Sequence, residues 1–405
     1  MPLLVSAALR KQWLRVVRIS AVYTGVVVAL FALNVALTGD WNYQGGERKT
    51  FYGAGDGTFT GGFPYQNEAS TFDSVGAARV GGGSFGVLFT RDALLEVFPH
   101  NMGYFLFGRH TGFAPYFLPG LMAILLFFAA TRDRAMWQWL TLAAGVITAV
   151  VLLIYMPFTW SGGGGPVGNR YFLGTYGVFL FLAPRMQTAA SGLLTTALSA
   201  LFVAPIISGP LYATRNPAEH AKTGIFTWLP TELTMVNDLP INVLPDRIRQ
   251  PLGGSPPILG YFIDDNVFNR ERDAFWVKGE SSADILLRAR IQTEADVAGV
   301  EMSRSLRIEK LTAILETGPK PNRVVISTGG DRRVIDMAPS SQQTVELEMP
   351  HGMPYKYDPR FPTNYVYFVT ISSSSGFVPM FENGANDSRF LGVMVRLIPT
   401  YGDGR

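Results

Sequence analysis

The feature that most constrains this chain is a run of about 19 residues, Ile19–Leu37, that contains no charged side chain. The hydrocarbon core of a bilayer is about 30 Å thick, and about 20 apolar residues in a helix span it. Arg10, Lys11, Arg15 and Arg18 precede the run. A secretory signal has a shorter apolar core, of roughly 7–15 residues, and ends in a small-residue cleavage site. The run therefore reads as an uncleaved first span.

Four more apolar stretches follow: about Ala114–Ala130, Met136–Phe158, the short Tyr171–Pro184, and Ala189–Tyr212. Beyond Asp238 charges are spread evenly. The two halves are thus written for two solvents. Charged residues make up only 16% of the whole against 48% hydrophobic, where soluble domains carry about 25% charge. Lys and Arg in short loops mark the inner side of a membrane. The basic N-terminus, Thr131-Arg132-Asp133-Arg134 and Pro184-Arg185-Met186 all fall inside if there are five spans. The loop 38–113, the segment Ser161–Arg170 and everything after Tyr212 then lie outside, as in a bacterial inner-membrane protein with an extracytoplasmic domain. Within the loop, Arg91–Phe107 reads equally as an interfacial helix or a packed one, broken at Pro99.

Residues 213–255 are rich in proline and read as a linker or irregular lid. From 256 to 405, strand patterns recur at short spacing. They are Phe275–Lys278, Asp284–Ala289, Leu306–Glu316, Arg323–Thr328, Gln343–Glu348, Tyr365–Ser372 and Leu391–Leu397. Thr344-Val345-Glu346-Leu347-Glu348 alternates as a half-buried strand does. About seven such strands predict an all-β sandwich or jelly roll. A helix over Ala283–Val300 competes with the strand reading of its first part. The expected fold is a helical transmembrane bundle of residues 1–212 carrying this β domain.

Several function classes are excluded or weakened. Net charge is +3 with no basic stripe interleaved with aromatics, so no nucleic acid is expected. There is no cysteine, hence no disulfide or thiolate metal site. The histidines His100, His110, His220 and His351 lack metal-ligand spacing. Gly53–Gly57 lacks the strand, helix and Gly-Lys-Ser/Thr of a nucleotide loop.

The most informative segment is Ser161-Gly-Gly-Gly-Gly-Pro-Val-Gly-Asn169-Arg170-Tyr171-Phe172. A glycine run lets backbone approach a ligand or helix closely. Arg170 stands where apolar chain begins, and a charge at that depth is usually paired or functional. Its guanidinium suits a phosphate; the plain alternative is an anchor reaching lipid headgroups, with Asn169 capping the helix. Gly108-Arg109-His110-Thr111-Gly112 precedes the second stretch at the same face, so Arg109 and His110 are candidates to share that anion. In the outer loop Asp40, Glu47 and Asp56 could supply a general base or a ligand for a divalent cation, while Trp41 and Tyr43 fit an interfacial belt. Asp387 and Arg389 read as a structural turn clamp before the last strand.

Gly168-Asn169-Arg170-Tyr171-Phe172, after a glycine run and before a short span, resembles a segment of bacterial multi-span GT-C-class glycosyltransferases, the protein mannosyltransferase and aminoarabinose transferase group. The resemblance implies transfer of a sugar from a polyprenyl-phosphate carrier at the outer face. It implies Arg or Lys on the carrier phosphate and an outer-loop carboxylate as base, and it aligns this chain with the C-terminal half of such a protein. On that reading Asp40, Glu47 and Asp56 are the catalytic candidates, and Arg109, His110, Asn169, Arg170 and Tyr171 bind substrate. The competing expectation is a non-catalytic membrane protein whose outer domain binds a glycan or an envelope protein. A transporter ranks last, since no paired broken helices are evident.

Overall fold

The computed structural model describes residues 2–39, 41, 49–50, 77–78, 93–129, 134–162, 167–184, 189–200, 202–242, 249–254, 257–289, 306–356 and 363–403. Asp40, Glu47 and Asp56 lie outside the described residues, as does the second half of the expected helix over 283–300. By contacts the chain forms two compact units. One comprises Met1–Leu88 with Ala135–Thr141, and the other Phe89–Arg134 with Leu142–Arg405.

In the first unit, α1 (Pro2–Leu9) leads into α2 (Trp13–Thr38). Helix α2 has 26 residues, about 39 Å at 1.5 Å per residue. It ends where Gly39 takes φ 78°, the left-handed conformation that glycine adopts without strain. None of the described side chains of α2 is buried by protein, although most are Val, Leu, Ala and Phe. A helix with so apolar a surface is found inside a protein core or across a membrane. A two-residue antiparallel ladder joins β1 (Lys49–Thr50) to β2 (Ala77–Ala78).

The helices of the second unit are α3 (Leu94–Phe107), α4 (Phe113–Tyr116), α5 (Leu118–Ala129), α6 (Met136–Tyr155, whose first turns belong to the first unit), α7 (Arg170–Tyr176), α8 (Ala189–Ser199), α9 (Ala204–Ser208) and α10 (Pro210–Arg215). Among the described residues two helices, α2 and α6, are long and apolar enough to cross a membrane, and α5 is a shorter apolar one. The other expected spans are interrupted. The stretch 114–130 breaks at Phe117, and α5 restarts with Pro119 in its first turn, where the missing N–H costs nothing. The stretch 171–184 is α7 followed by a 3₁₀ segment, Gly177–Leu182. The stretch 189–212 is cut into three pieces, with Pro205 and Pro210 opening the second and third.

Residues 213–255 do not behave as a linker over their described part. They form 3₁₀ turns (Glu219–Lys222, Gly224–Trp228, Leu233–Asp238, Pro240–Asn242) whose Met235, Val236, Leu239 and Ile241 are fully buried. Proline prevents long helix here but not packing.

The β region contains β3 (Arg249–Pro251), β4 (Ile258–Phe262), β5 (Ala274–Lys278), β6 (Ser281–Ala289), β7 (Leu306–Thr317), β8 (Asn322–Ser327), β9 (Arg332–Met337), β10 (Gln342–Glu348), β11 (Met353–Tyr355), β12 (Asn364–Ser373) and β13 (Leu391–Asp403), with α11 (Pro379–Asn383) before the last strand. All pairings are antiparallel. One sheet runs β10-β7-β13-β5; the other runs β3-β4-β6-β12-β8-β9, with β11 added beside β12. Alternate residues of both sheets meet in one core: Phe275 and Val277, Ile285 and Leu287, Leu311, Ala313 and Leu315, Val369 and Ile371, Val393 and Val395. This is the period-2 burial of packed antiparallel sheets. The expected strand Asp284–Ala289 is thus present as part of β6, in place of the competing helix over that segment.

The larger sheet is also covered on its other face. Tyr261, Leu286, Tyr355 and Val366 join a second core with Phe105, Trp160, Phe172, Tyr176, Met235 and Val236. The β domain and the helical elements of this unit are thus continuous through one sheet.

Candidate functional site

Two loops carry the polar residues that sequence singled out, and they differ in character. The loop after α3 is closed around Glu232, which is fully buried. One carboxylate oxygen of Glu232 accepts from His110 N (2.8 Å), Thr111 N (2.8 Å) and Thr111 Oγ1 (2.9 Å). The other lies 3.0 Å from His110 Nδ1. Burial alone would raise this carboxyl, but the attraction of His110 and the hydrogen bonds from it prevail, so Glu232 sits below the usual carboxylate range. Gly108 is required by this closure: a Cβ there would collide with the Glu232 carboxylate and the Tyr104 carbonyl.

Arg109 is equally enclosed. Its backbone N–H donates to Pro230 O at 2.9 Å and its Nε to Ala221 O at 2.8 Å. Burial lowers its pKa, and the nearby charges of Asp284, Asp264 and Glu232 oppose that. The Arg109 carbonyl takes the Tyr116 hydroxyl proton at 2.8 Å. The same hydroxyl lies 2.8 Å from His220 Nε2, which must then donate to it. Burial, and then the charge of His110, push His220 down to about 4, so it is neutral near pH 7. Arg109 and His110 therefore brace residues 108–112 against 219–234, with both side chains buried on internal partners.

Arg170 is different. It is exposed, and its guanidinium stands 5.9 Å from the ring of the exposed Tyr171. Asn169 is fully buried and caps α7, accepting from Phe172 N at 3.2 Å. Arg170 N donates to Ser161 O at 3.0 Å, tying the two ends of the glycine-rich loop together. Gly162 takes φ 93° there, and a Cβ would press on the Arg170 side chain at 3.2 Å.

Around this turn Trp160 Nε1, Ser161 Oγ and Asn169 Nδ2 are buried without a hydrogen-bond partner among the described residues, as is the Tyr176 hydroxyl at the far end of α7. All can donate. A buried donor left unpaired costs about 1–3 kcal/mol, so native structures rarely keep several together without water, an ion or a ligand. Two residues beyond Arg170, Phe172 lines an apolar slot of about 120 Å³ with Phe105, Phe113, Ile124, Ala149 and Phe179. The turn thus sets one exposed cation and several unsatisfied donors beside an apolar slot. That arrangement suits an anion joined to a hydrocarbon chain.

Of the residues expected to bind substrate, Asn169, Arg170 and Tyr171 form this turn, while Arg109 and His110 belong to the Glu232 clamp. No group of His, Asp and Glu able to hold a metal occurs among the described residues. Sequence reasoning missed Glu232, whose only signal is a lone carboxylate inside Trp228-Leu229-Pro230-Thr231-Glu232-Leu233. It also missed Trp160, Ser161 and Tyr176, whose unpaired state is visible only in three dimensions. Asp387 and Arg389 form the expected turn clamp, at 2.7 Å, with Glu271 adding a second carboxylate at 2.6 Å.

No protein-family model and no curated protein matches the chain. Solved structures show slight likeness. The secreted serine protease VesC from Vibrio cholerae matches at 10% identity and TM-score 0.20, covering 39% of this chain and only 25% of that one. A variant of a family 29 carbohydrate-binding module complexed with mannohexaose matches at 9% identity and TM-score 0.16, covering 36% of this chain and 77% of that one. TmCBM61 in complex with β-1,4-galactotriose matches at 10% identity and TM-score 0.16, covering 36% and 89%. Likeness this low assigns neither a fold nor a ligand to this chain.

Proposed function

We propose that this chain serves glycosyl transfer from a polyprenyl-phosphate carrier, as a GT-C-like membrane glycosyltransferase or as the C-terminal part of one. The observation that carries the reading is the Arg170 turn: an exposed guanidinium with buried unpaired donors from Trp160, Ser161 and Asn169, next to an apolar slot. A carrier phosphate would take the fork of Arg170 and those donors, and the first isoprene units would take the slot. In the reaction the sugar's bond to the phosphate oxygen breaks and a bond to an acceptor oxygen forms. The acceptor hydroxyl loses its proton to a carboxylate, and the carrier leaves as a phosphate that Arg170 stabilises. Asp40, Glu47 and Asp56 are the carboxylates assigned to that base, or to a divalent cation assisting it. The five-span arrangement in the bacterial inner membrane, with Arg170 and the β domain outside, belongs to the same proposal.

The test is sugar transfer from a polyprenyl-phosphate donor by membranes containing the full chain. Arg170→Ala is expected to abolish turnover, and Arg170→Lys to keep part of it, because charge without a planar fork binds phosphate less well. Unchanged turnover in Arg170→Ala would sink the assignment.

A further inference from the structure

A second cavity, of about 470 Å³, opens at the rim of the β domain, lined by Lys222, Asp264, Asp265, Phe268, Asn269 and Lys278 among others. We infer that this cavity is a binding site for a neutral saccharide of one or two sugar units. The inference does not rest on the transferase reading.

The walls are built rather than incidental. Asp264 is buried, and its two carboxylate oxygens are held by Asn266 N at 2.8 Å and Asp284 N at 2.6 Å. Lys222 is only 6% exposed, an unusual state for lysine. Its ammonium is fixed by Glu219 at 2.7 Å and Asp265 at 3.1 Å. An ammonium has three donors, so one remains after these two bonds. Phe268 stands between two cations, with Lys278 Nζ and Arg389 Cζ each 5.3 Å from its ring centroid. Arg389 is itself pinned by Asp387 and Glu271.

The charge pattern selects the ligand class. Lys222 is already paired with both Glu219 and Asp265, so with Asp264 and Lys278 also lining the cavity the wall carries a slight excess of negative charge and disfavours an anion. What it offers is a dense set of fixed acceptors and donors at short spacing. The carboxylates accept hydroxyl protons, while the lysines and the exposed Asn269 amide donate or, at its oxygen, accept. Vicinal hydroxyls, each both donor and acceptor, match such a wall. The volume falls within the range of small-molecule sites.

The experiment is calorimetric titration of the full chain in detergent micelles with mono- and disaccharides of glucose, mannose, galactose and N-acetylglucosamine. At least one is expected to bind. Asn269→Trp, at an exposed position where an indole fits without disturbing the core, should weaken it at least tenfold. Asp265→Ala, also exposed, should weaken it severalfold. Arg170→Ala should leave it unchanged, which separates this site from the transferase reading. The inference is overturned if no saccharide in the panel binds, if Asn269→Trp binds as the native chain does, or if inorganic phosphate or calcium binds with the Asn269→Trp sensitivity expected of the sugar.

Discussion

Removal of the Glu232 carboxylate is the perturbation whose cost the structure sets best. Glu232→Ala leaves four donors around 108–111 without a partner, two of them backbone N–H groups that no side-chain repacking can supply. Deleting a fully buried carboxylate that holds several donors costs about 3–5 kcal/mol. Entry of a water into the vacated space could recover a little, so the expected loss is about 4 kcal/mol. Glu232→Gln keeps an oxygen for three of the donors and loses only the charge and the His110 contact. About 1–2 kcal/mol is expected for it, the margin by which a charged hydrogen bond exceeds a neutral one. The pH dependence has a definite sign. The folded state holds Glu232 below its ordinary range, so its stabilisation is present above that range and is lost as pH falls through the folded value. The difference between native and Gln forms should therefore shrink on acidification. Denaturant unfolding in detergent, read by tryptophan fluorescence, gives the energies, and amide exchange at His110 and Thr111 gives the local effect. A Glu232→Ala protein within about 1 kcal/mol of native, with both amides equally protected, would refute the clamp, since most exposed substitutions fall within that margin.

Asp264 should show the opposite pH behaviour. Burial raises its carboxyl to about 6, so between its unfolded value near 4 and pH 6 the folded protein holds the extra proton and stability falls as pH rises. That fall is on the order of 2–3 kcal/mol from the two-unit shift, and Asp264→Asn should flatten it in unfolding curves taken from pH 4 to 7. Gly108→Ala should destabilise by more than about 2 kcal/mol, because its methyl group meets the Glu232 carboxylate and a backbone carbonyl rather than a yielding side chain; thermal unfolding reads this directly. Leu315→Ala, in the fully buried sandwich core, should cost about 2–5 kcal/mol by loss of burial plus cavity, measured by denaturant midpoint.

Much of the architecture is legible in the chain because it follows from local pattern. The apolar run of α2 is long and uncharged, and any helix of that composition requires lipid or burial. Strands β5, β7, β8, β10, β12 and β13, and β6 over Asp284–Ala289, were readable because they alternate or carry apolar and β-branched residues between turns. Strands β3, β4, β9 and β11 were not. Ile258–Phe262 packs on both faces, so its apolar residues do not alternate; Met353–Tyr355 is short and contains Pro354; Arg332–Met337 is a charged edge. Burial on two faces erases the period that identifies a half-buried strand.

The polar sites divide in the same way. Asn169 and Arg170 stand together in sequence, and a cap followed by a cation at the start of apolar chain is a local statement. The fate of His110 was decided elsewhere, by Glu232, 122 residues away, and that of Arg109 by Ala221, 112 residues away. Whether a cation near a membrane surface meets a ligand or an internal carboxylate depends on which distant segment the fold brings to it. The proline-rich stretch has no period from which its burial could be read, yet tertiary packing places one of its carboxylates, Glu232, at the centre of the clamp. Composition set the two solvents and the strand pattern set the sheets. Only the folded chain decided which charges are consumed in holding it together and which are left at Arg170 and around Asp264, because pairing of buried charges is a property of contacts between segments that are remote in sequence.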